Sequence, residues 1–211
     1  MSNKVSKIEV QKKNKERVNI YVDDEYFISC HMELIYKEGI KKGESIDKEK
    51  LNSIVEEDNF IKAKSRSLRY LGRAYKAEEE VREKLIGEGY DEKIIERTIN
   101  FLKEYNFIDD NRYVELFIKE KLKKWGENRI KYELLKKGVD EKLIISKMEH
   151  IDEEDKENIL SEIAIKKYNS LVKSEKDLFK VKKKLNDYLL RRGYNYDEVR
   201  AVIINILEVG E

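Results

Sequence analysis

The side chains best suited to nucleophilic or metal chemistry near neutral pH are scarce in this chain. It has one cysteine, Cys30, and two histidines, His31 and His150. Cys30 and His31 are neighbours, but alternate residues of a strand face opposite sides, so they do not form a nucleophile–base pair. No Cys, His or carboxylate spacing matches a metal site, and each repeat glycine stands near a helix end rather than in a phosphate-binding loop. The expectation is therefore a non-enzyme, with no catalytic residue, no cofactor and no metal. Cations are what remain. Residues 61–77 hold Lys62, Lys64, Arg66, Arg69, Arg73 and Lys76 and no acid. Lys119, Lys121, Lys123, Lys124, Arg129 and Lys131 surround Trp125, opposed by Glu120 and Glu127. Lys180, Lys182, Lys183, Lys184, Arg191 and Arg192 form a third group around Asp187. Such groups suit phosphates or an acidic protein groove. The plain alternative for each segment alone is a solvated helix face; recurrence in three segments weighs against it. The candidate contact residues for a partner or DNA are Arg66, Arg69, Arg73, Lys121, Lys124, Trp125, Arg129, Lys183, Arg191 and Arg192. Trp125 is read first as a packing residue and second as a platform for a base.

Composition limits what the cations can mean. The chain has 211 residues, 45 of them basic and 44 acidic, so its net charge of +1 gives no global field toward nucleic acid or membrane. An anionic partner must be met locally. There is no proline, which suits long helices and excludes a proline-rich linker. A single cysteine excludes an internal disulfide. No run approaches the length of a membrane span and no apolar leader follows Met1, so a soluble, cytoplasmic monomer is expected.

The elements that must hold the cations are visible as a repeat. Leu85-Ile86-Gly87-Glu88-Gly89-Tyr90 is matched by Leu134-Leu135-Lys136-Lys137-Gly138-Val139 and by Leu189-Leu190-Arg191-Arg192-Gly193-Tyr194. Counted from Gly89, Gly138 or Gly193, apolar residues recur at −8, −4, −3, +1, +6, +10 and +13. That self-similarity marks a repeat architecture. In each repeat a second helix ends at the glycine, and a third begins behind an N-cap at Asp91, Asp140 or Asn195. A first helix must complete the core, over about 63–75, 112–124 and 156–168. The longer stretch 169–181 in the third repeat is expected as a loop or an extended helix.

Residues 7–30 alternate with period two, through Ile8 and Val10, then Val18, Ile20 and Val22, then Tyr26, Ile28 and Cys30. This predicts a three-stranded antiparallel meander leaning on a helix. A short helix ended by Gly39 and another capped by Asp47 follow. The fold class expected is mainly α. Three tandem three-helix, helix-turn-helix-like repeats form a curved elongated stack behind a small N-terminal β-meander with helices. The boundaries expected are 1–60, 61–108, 109–152 and 153–211.

Three stretches resemble the RecX family of recombination regulators. They are Phe107-Ile108-Asp109-Asp110-Asn111-Arg112-Tyr113, Trp125-Gly126-Glu127-Asn128-Arg129-Ile130, and residues 189–194 with Asp197. The resemblance spans about residues 63–207. It implies tandem three-helix repeats that bind the RecA recombinase filament on single-stranded DNA along its groove. It further implies modulation, foremost inhibition, of filament extension, ATPase and strand exchange. DNA would then be met through the filament. A directly DNA-binding tandem helix-turn-helix protein is the alternative, and a general helical-repeat scaffold is a third reading. Acids at the start of the third helices, Glu92, Glu141 and Asp197, oppose base contacts there.

Overall fold

The computed structural model describes residues 4–208. Among them are a three-stranded sheet, in the order β1-β2-β3, and ten α-helices. The strands are β1 (Val5–Val10), β2 (Arg17–Val22) and β3 (Glu25–His31). The helices are α1 (Met32–Lys37), α2 (Lys48–Leu71), α3 (Glu78–Gly87), α4 (Glu92–Glu104) and α5 (Asp110–Lys121). They continue with α6 (Glu127–Lys136), α7 (Glu141–Met148), α8 (Glu153–Leu171), α9 (Leu178–Arg191) and α10 (Tyr196–Glu208). Two compact units divide them. The first takes residues up to 75 with 81–107, and the second takes 76–80 with the chain from 108 on.

The sheet and α2 define the first unit. Asp23 and Asp24 adopt φ of 48° and 68° between the paired Val22 and Glu25. Aspartate tolerates the left-handed region because its short side chain bonds locally, which lets two residues close the hairpin. Val5, Val18, Ile20 and Cys30 from the sheet pack with Leu34, Leu51 and Ile54 from the helices. Val10 and Tyr26, expected on the apolar face, are exposed instead.

The helix capped by Asp47 and the first helix of repeat one are a single element. Asp47 Oδ1 accepts from Lys50 N at 2.6 Å, and α2 then runs for 24 residues to Leu71. The expected boundary at 60/61 falls inside it. No glycine or proline interrupts residues 48–71, so nothing breaks the backbone ladder. The apolar pattern breaks at the polar stretch around Asp58, which hides that continuity in the sequence. Asp58 is fully buried and does a specific job: it accepts Arg17 Nη2 at 2.8 Å, Lys62 Nζ at 2.7 Å and His31 N at 2.9 Å. Burial pushes its pKa up, but the bonds from Arg17, Lys62 and the His31 amide outweigh that and hold it below the usual carboxylate value. One carboxylate thereby ties β2, the end of β3 and α2 together.

All three glycine turns close in the same way. Gly89, Gly138 and Gly193 have φ of 83°, 75° and 87°. Tyr90, Val139 and Tyr194 donate back to Leu85, Leu134 and Leu189, while each glycine N–H reaches the carbonyl one residue further on. These are paired 6→1 and 5→2 bonds, the Schellman closure, which satisfies carbonyls left over at a helix end. The ladders that follow are buried at Ile95, Ile99 and Leu102, at Ile144 and Met148, and at Val199 and Ile203, with Ile151 and Ile206 half-buried; the −3 residues Ile86, Leu135 and Leu190, expected on the packing face, are exposed instead. Asp91, Asp109 and Asp140 each cap their helix by accepting from the amide three residues on. Asn195 does not cap α10 in this way. Its own N–H is taken by Glu198 Oε2 at 2.8 Å, and its side chain is spent on another repeat. The long stretch expected at 169–181 in repeat three is helical at both ends with a loop between. α8 continues to Leu171, and six residues lead into α9 at an Asp177 cap.

Candidate recognition surface

The second unit joins its two repeats through helix ends. α6 starts with amides that have no partner inside the helix, and α9 ends with carbonyls in the same position. The two meet: Gly126 N donates to Arg192 O at 2.8 Å, and Asn128 N to Gly193 O at 3.2 Å. Only glycine permits this. A Cβ on Gly126 would collide with Tyr194 N and the Gly193 carbonyl, and one on Gly193 would lie 2.5 Å from Arg129 N and Cβ. Side chains fasten the same seam. Asn128 Nδ2 donates to Asn195 Oδ1 at 2.6 Å, Arg192 Nη1 to Lys124 O at 2.6 Å, and Arg129 Nη1 to Arg191 O at 3.4 Å. The α3 end of this unit repeats part of the pattern. Lys137 Nζ reaches Glu80 Oε1 at 2.9 Å, and Ala77 is buried with Tyr113 and Ile130. Burial pushes the Glu80 carboxyl up, yet its bonds with Lys137 and the Ala77 amide leave it below its ordinary value.

Cations gather on this frame. The Arg129 guanidinium stacks 4.4 Å from the Trp125 ring centroid, with Lys121 Nζ 5.3 Å from the same ring. Arg192 covers Tyr188 at 4.5 Å. Trp125 also packs 6.5 Å from Phe117, so its first duty is repeat packing. Lys124 and Arg191 stand exposed beside these half-buried groups. Six of the expected residues, Lys121, Lys124, Trp125, Arg129, Arg191 and Arg192, thus share one surface. Lys183 is elsewhere, in a cleft between α9 and α10 with Phe179, Lys182, Tyr196 and Arg200. Arg66, Arg69 and Arg73 belong to the first unit, where Arg66 Nε lies 4.0 Å from Glu88.

Sequence reading missed Gly126, Asn128 and Asn195 as parts of the seam. The only sequence signal is a glycine directly before a helix and outside the three repeat turns. The structure supplies the reason: at φ −77° Gly126 serves close backbone approach and not a left-handed turn. Among the described residues no group of three or more His, Cys, Asp or Glu is placed to hold a metal. Cys30 is buried, and desolvation pushes its thiol up to about 11, which makes it inert at neutral pH. No described helix is long and apolar enough to cross a membrane.

Four family models of known proteins match successive stretches of the chain. Residues 3–47 match the RecX regulatory protein N-terminal domain. Residues 63–102, 109–145 and 153–203 match the first, second and third three-helix domains of RecX. A protein of Clostridium acetobutylicum named Regulatory protein RecX is 47% identical over 97% of this chain and 96% of its own length. The chain belongs to the RecX family. A second Regulatory protein RecX, from Clostridioides difficile, is 37% identical over 98% of this chain and 97% of its own. A crystal structure of regulatory protein RecX superposes with a TM-score of 0.70 at 24% identity, covering 94% of this chain and 98% of that one. RecX from Lactobacillus salivarius gives 0.63 at 25% identity over 72% of this chain and 98% of its own. The mainly helical fold, the N-terminal sheet and the three three-helix domains are those of RecX. Membership supports a regulatory role, and relatives named as regulatory proteins are consistent with a chain that is not an enzyme.

Proposed function

We propose that the chain regulates homologous recombination by binding the filament that a RecA-type recombinase forms on single-stranded DNA. Acting as a cytoplasmic monomer, it slows ATP turnover, filament extension and strand exchange, and catalyses nothing itself. The observation that carries this reading is the basic surface of the second unit, where cations from two repeats are fixed by backbone bonds across Gly126 and Gly193. A surface already ordered costs little to immobilise, so its contacts appear as affinity. A filament repeats its subunits, and contacts on several repeats act together when their spacing matches. Arg66, Arg69 and Arg73 on the first unit would supply further contacts. The sequence resemblance and the regulatory relatives point the same way.

The test is binding of the full chain at physiological salt to three targets: preformed recombinase filament, bare single-stranded DNA and bare duplex. The proposal requires preference for filament together with a fall in its ATP turnover. Equal or tighter binding to bare DNA, with turnover unchanged, would favour the second reading, direct DNA binding. One observation supports that second reading. The Lys182, Lys183 and Arg200 cleft is flanked by Phe179 and Tyr196, exposed by 76% and 64%, a basic and aromatic combination suited to stacked bases.

A further inference from the structure

The cleft between α9 and α10, about 400 Å3 in volume, carries groups that packing does not use. Phe179 on α9 and Tyr196 on α10 are among the most exposed aromatic side chains of the molecule. Neither ring contacts another ring or a cation among the described residues. One exposed apolar side chain is ordinary, but two rings lining one cleft make a platform. Three exposed cations line the same cleft, Lys182, Lys183 and Arg200, and no acid does. None of the three has an ion-pair partner among the described residues. Their neighbours on α9 do: Lys180 lies 3.8 Å from Asp177, and Lys184 lies 3.0 Å from Glu175. The lysines on either side are thus neutralised while the cleft keeps its charge. Like charges in a concave surface focus their field and draw in anions.

Rings and cations together say which anion. The complement is a polyanion that alternates negative charge with flat apolar rings, and a nucleic-acid single strand is one: its phosphates meet the cations and its unpaired bases stack on the aromatics. A duplex keeps its base faces inside its own stack and offers this cleft only phosphates. An acidic peptide would meet the cations but leave the two rings without flat partners. Asn186, half-buried in the cleft and without a side-chain partner among the described residues, can bond a base edge through its amide. The lining residues of α9 run from Phe179 to Asn186, about 10 Å along the helix, which is the length of about three stacked nucleotides.

We infer that this cleft binds about three unpaired nucleotides of a single DNA strand, with bases on Phe179 and Tyr196 and phosphates on Lys182, Lys183 and Arg200. DNA rather than RNA is named because the function proposed above places the chain on filaments formed on a DNA strand, and to that extent the inference rests on that reading. The site is separate from the seam, so the strand and the filament protein do not compete for the same cations.

The experiment titrates the full chain, without recombinase, into a fluorescently labelled oligothymidylate and follows anisotropy over a range of salt. Saturable binding is expected, several-fold tighter than to a duplex of the same length. Phe179→Ala with Tyr196→Ala should weaken strand binding about tenfold and leave both its salt dependence and duplex binding unchanged. Phe179→Trp, which keeps a ring, should bind like the parent. Lys183→Gln with Arg200→Gln should weaken binding and flatten the plot of log affinity against log salt by about 1.4, two phosphate contacts at about 0.7 each. Parental binding in the ring variant, or a duplex bound as tightly as the strand, overturns the inference. So does displacement of the strand by an oligoglutamate peptide at equal charge, which marks an acidic protein site, or tighter binding of oligouridylate, which marks an RNA site. If the double ring variant does not fold, Phe179→Ala alone, which removes an exposed ring, decides. Binding lost in the Lys124→Glu, Arg191→Glu variant but kept in the ring variant would also overturn the cleft while leaving direct DNA binding standing. Recombinase is absent throughout, so none of these outcomes is a failure of the filament reading.

Discussion

Two joints in this molecule solve the same problem by opposite means. In the first unit, the sheet is tied to α2 by side-chain charge brought inside: Asp58, fully buried, is shared by Arg17, Lys62 and the His31 amide. In the second unit, two repeats are tied by backbone, through Gly126 and Gly193, with arginines lying over the outside. The first joint consumes its cations. The second leaves Lys124 and Arg191 free for something else. A buried charge makes a joint that tolerates no loss of a partner, whereas a backbone joint makes one that tolerates no gain of a side chain. On the proposed reading, that difference is why the second joint, rather than the first, carries exposed cations available to a partner.

Substitutions separate the two joints by size of effect. The largest effect should come from Asp58→Ala, which strands the half-buried Arg17 and the His31 amide; a loss of about 4 kcal/mol is expected in denaturant unfolding. The pH dependence has a definite sign. The folded-state pKa of Asp58 is lowered, so its contribution is complete above the unfolded aspartate value near about 4 and is lost as pH falls through the folded value. The variant should therefore show a flatter acid limb than the parent.

Next comes Gly193→Ala, where a left-handed φ and a collision with Arg129 combine; about 3 kcal/mol is expected by the same measurement. Gly89→Ala sharpens the point. Its φ of 83° is nearly the same, but nothing lies within 4 Å of the added Cβ. It should cost only about 1 kcal/mol. Equal losses at the two glycines would mean that turn strain alone matters and that the seam is not a tight joint. The smallest effect on stability belongs to Lys124→Glu with Arg191→Glu, two exposed side chains whose substitution should leave the unfolding free energy within about 0.5 kcal/mol.

What the sequence disclosed follows the range of the forces. The three Schellman turns, the Asp caps and the buried ladders are set by residues within about a dozen positions of one another, so spacing alone finds them. The sheet was legible through its period of two. The continuity of α2 was hidden because buried Asp58 interrupts the apolar pattern, and its partner Arg17 is 41 residues away. Asn195 looked like a cap because its type and place fit one, but its side chain is claimed by Asn128, 67 residues earlier. The seam is made of such distant pairs. Six of the ten candidate residues do share its surface, yet no local rule separates Arg192, which braces Lys124 O, from Arg191, which stands free. Lys183 shows the converse, since with Lys182 it lines the cleft between α9 and α10 rather than the seam.

The central claim is that cations held over the glycine seam recognise a recombinase filament. It is tested most directly by adding the Lys124→Glu, Arg191→Glu variant and the parent chain to filaments on single-stranded DNA and measuring ATP turnover against concentration. The account predicts that the parent slows turnover and that the variant, equally stable, needs at least about tenfold more protein for the same effect, as loss of roughly 1.4 kcal/mol requires. A variant that slows turnover as well as the parent does would contradict it.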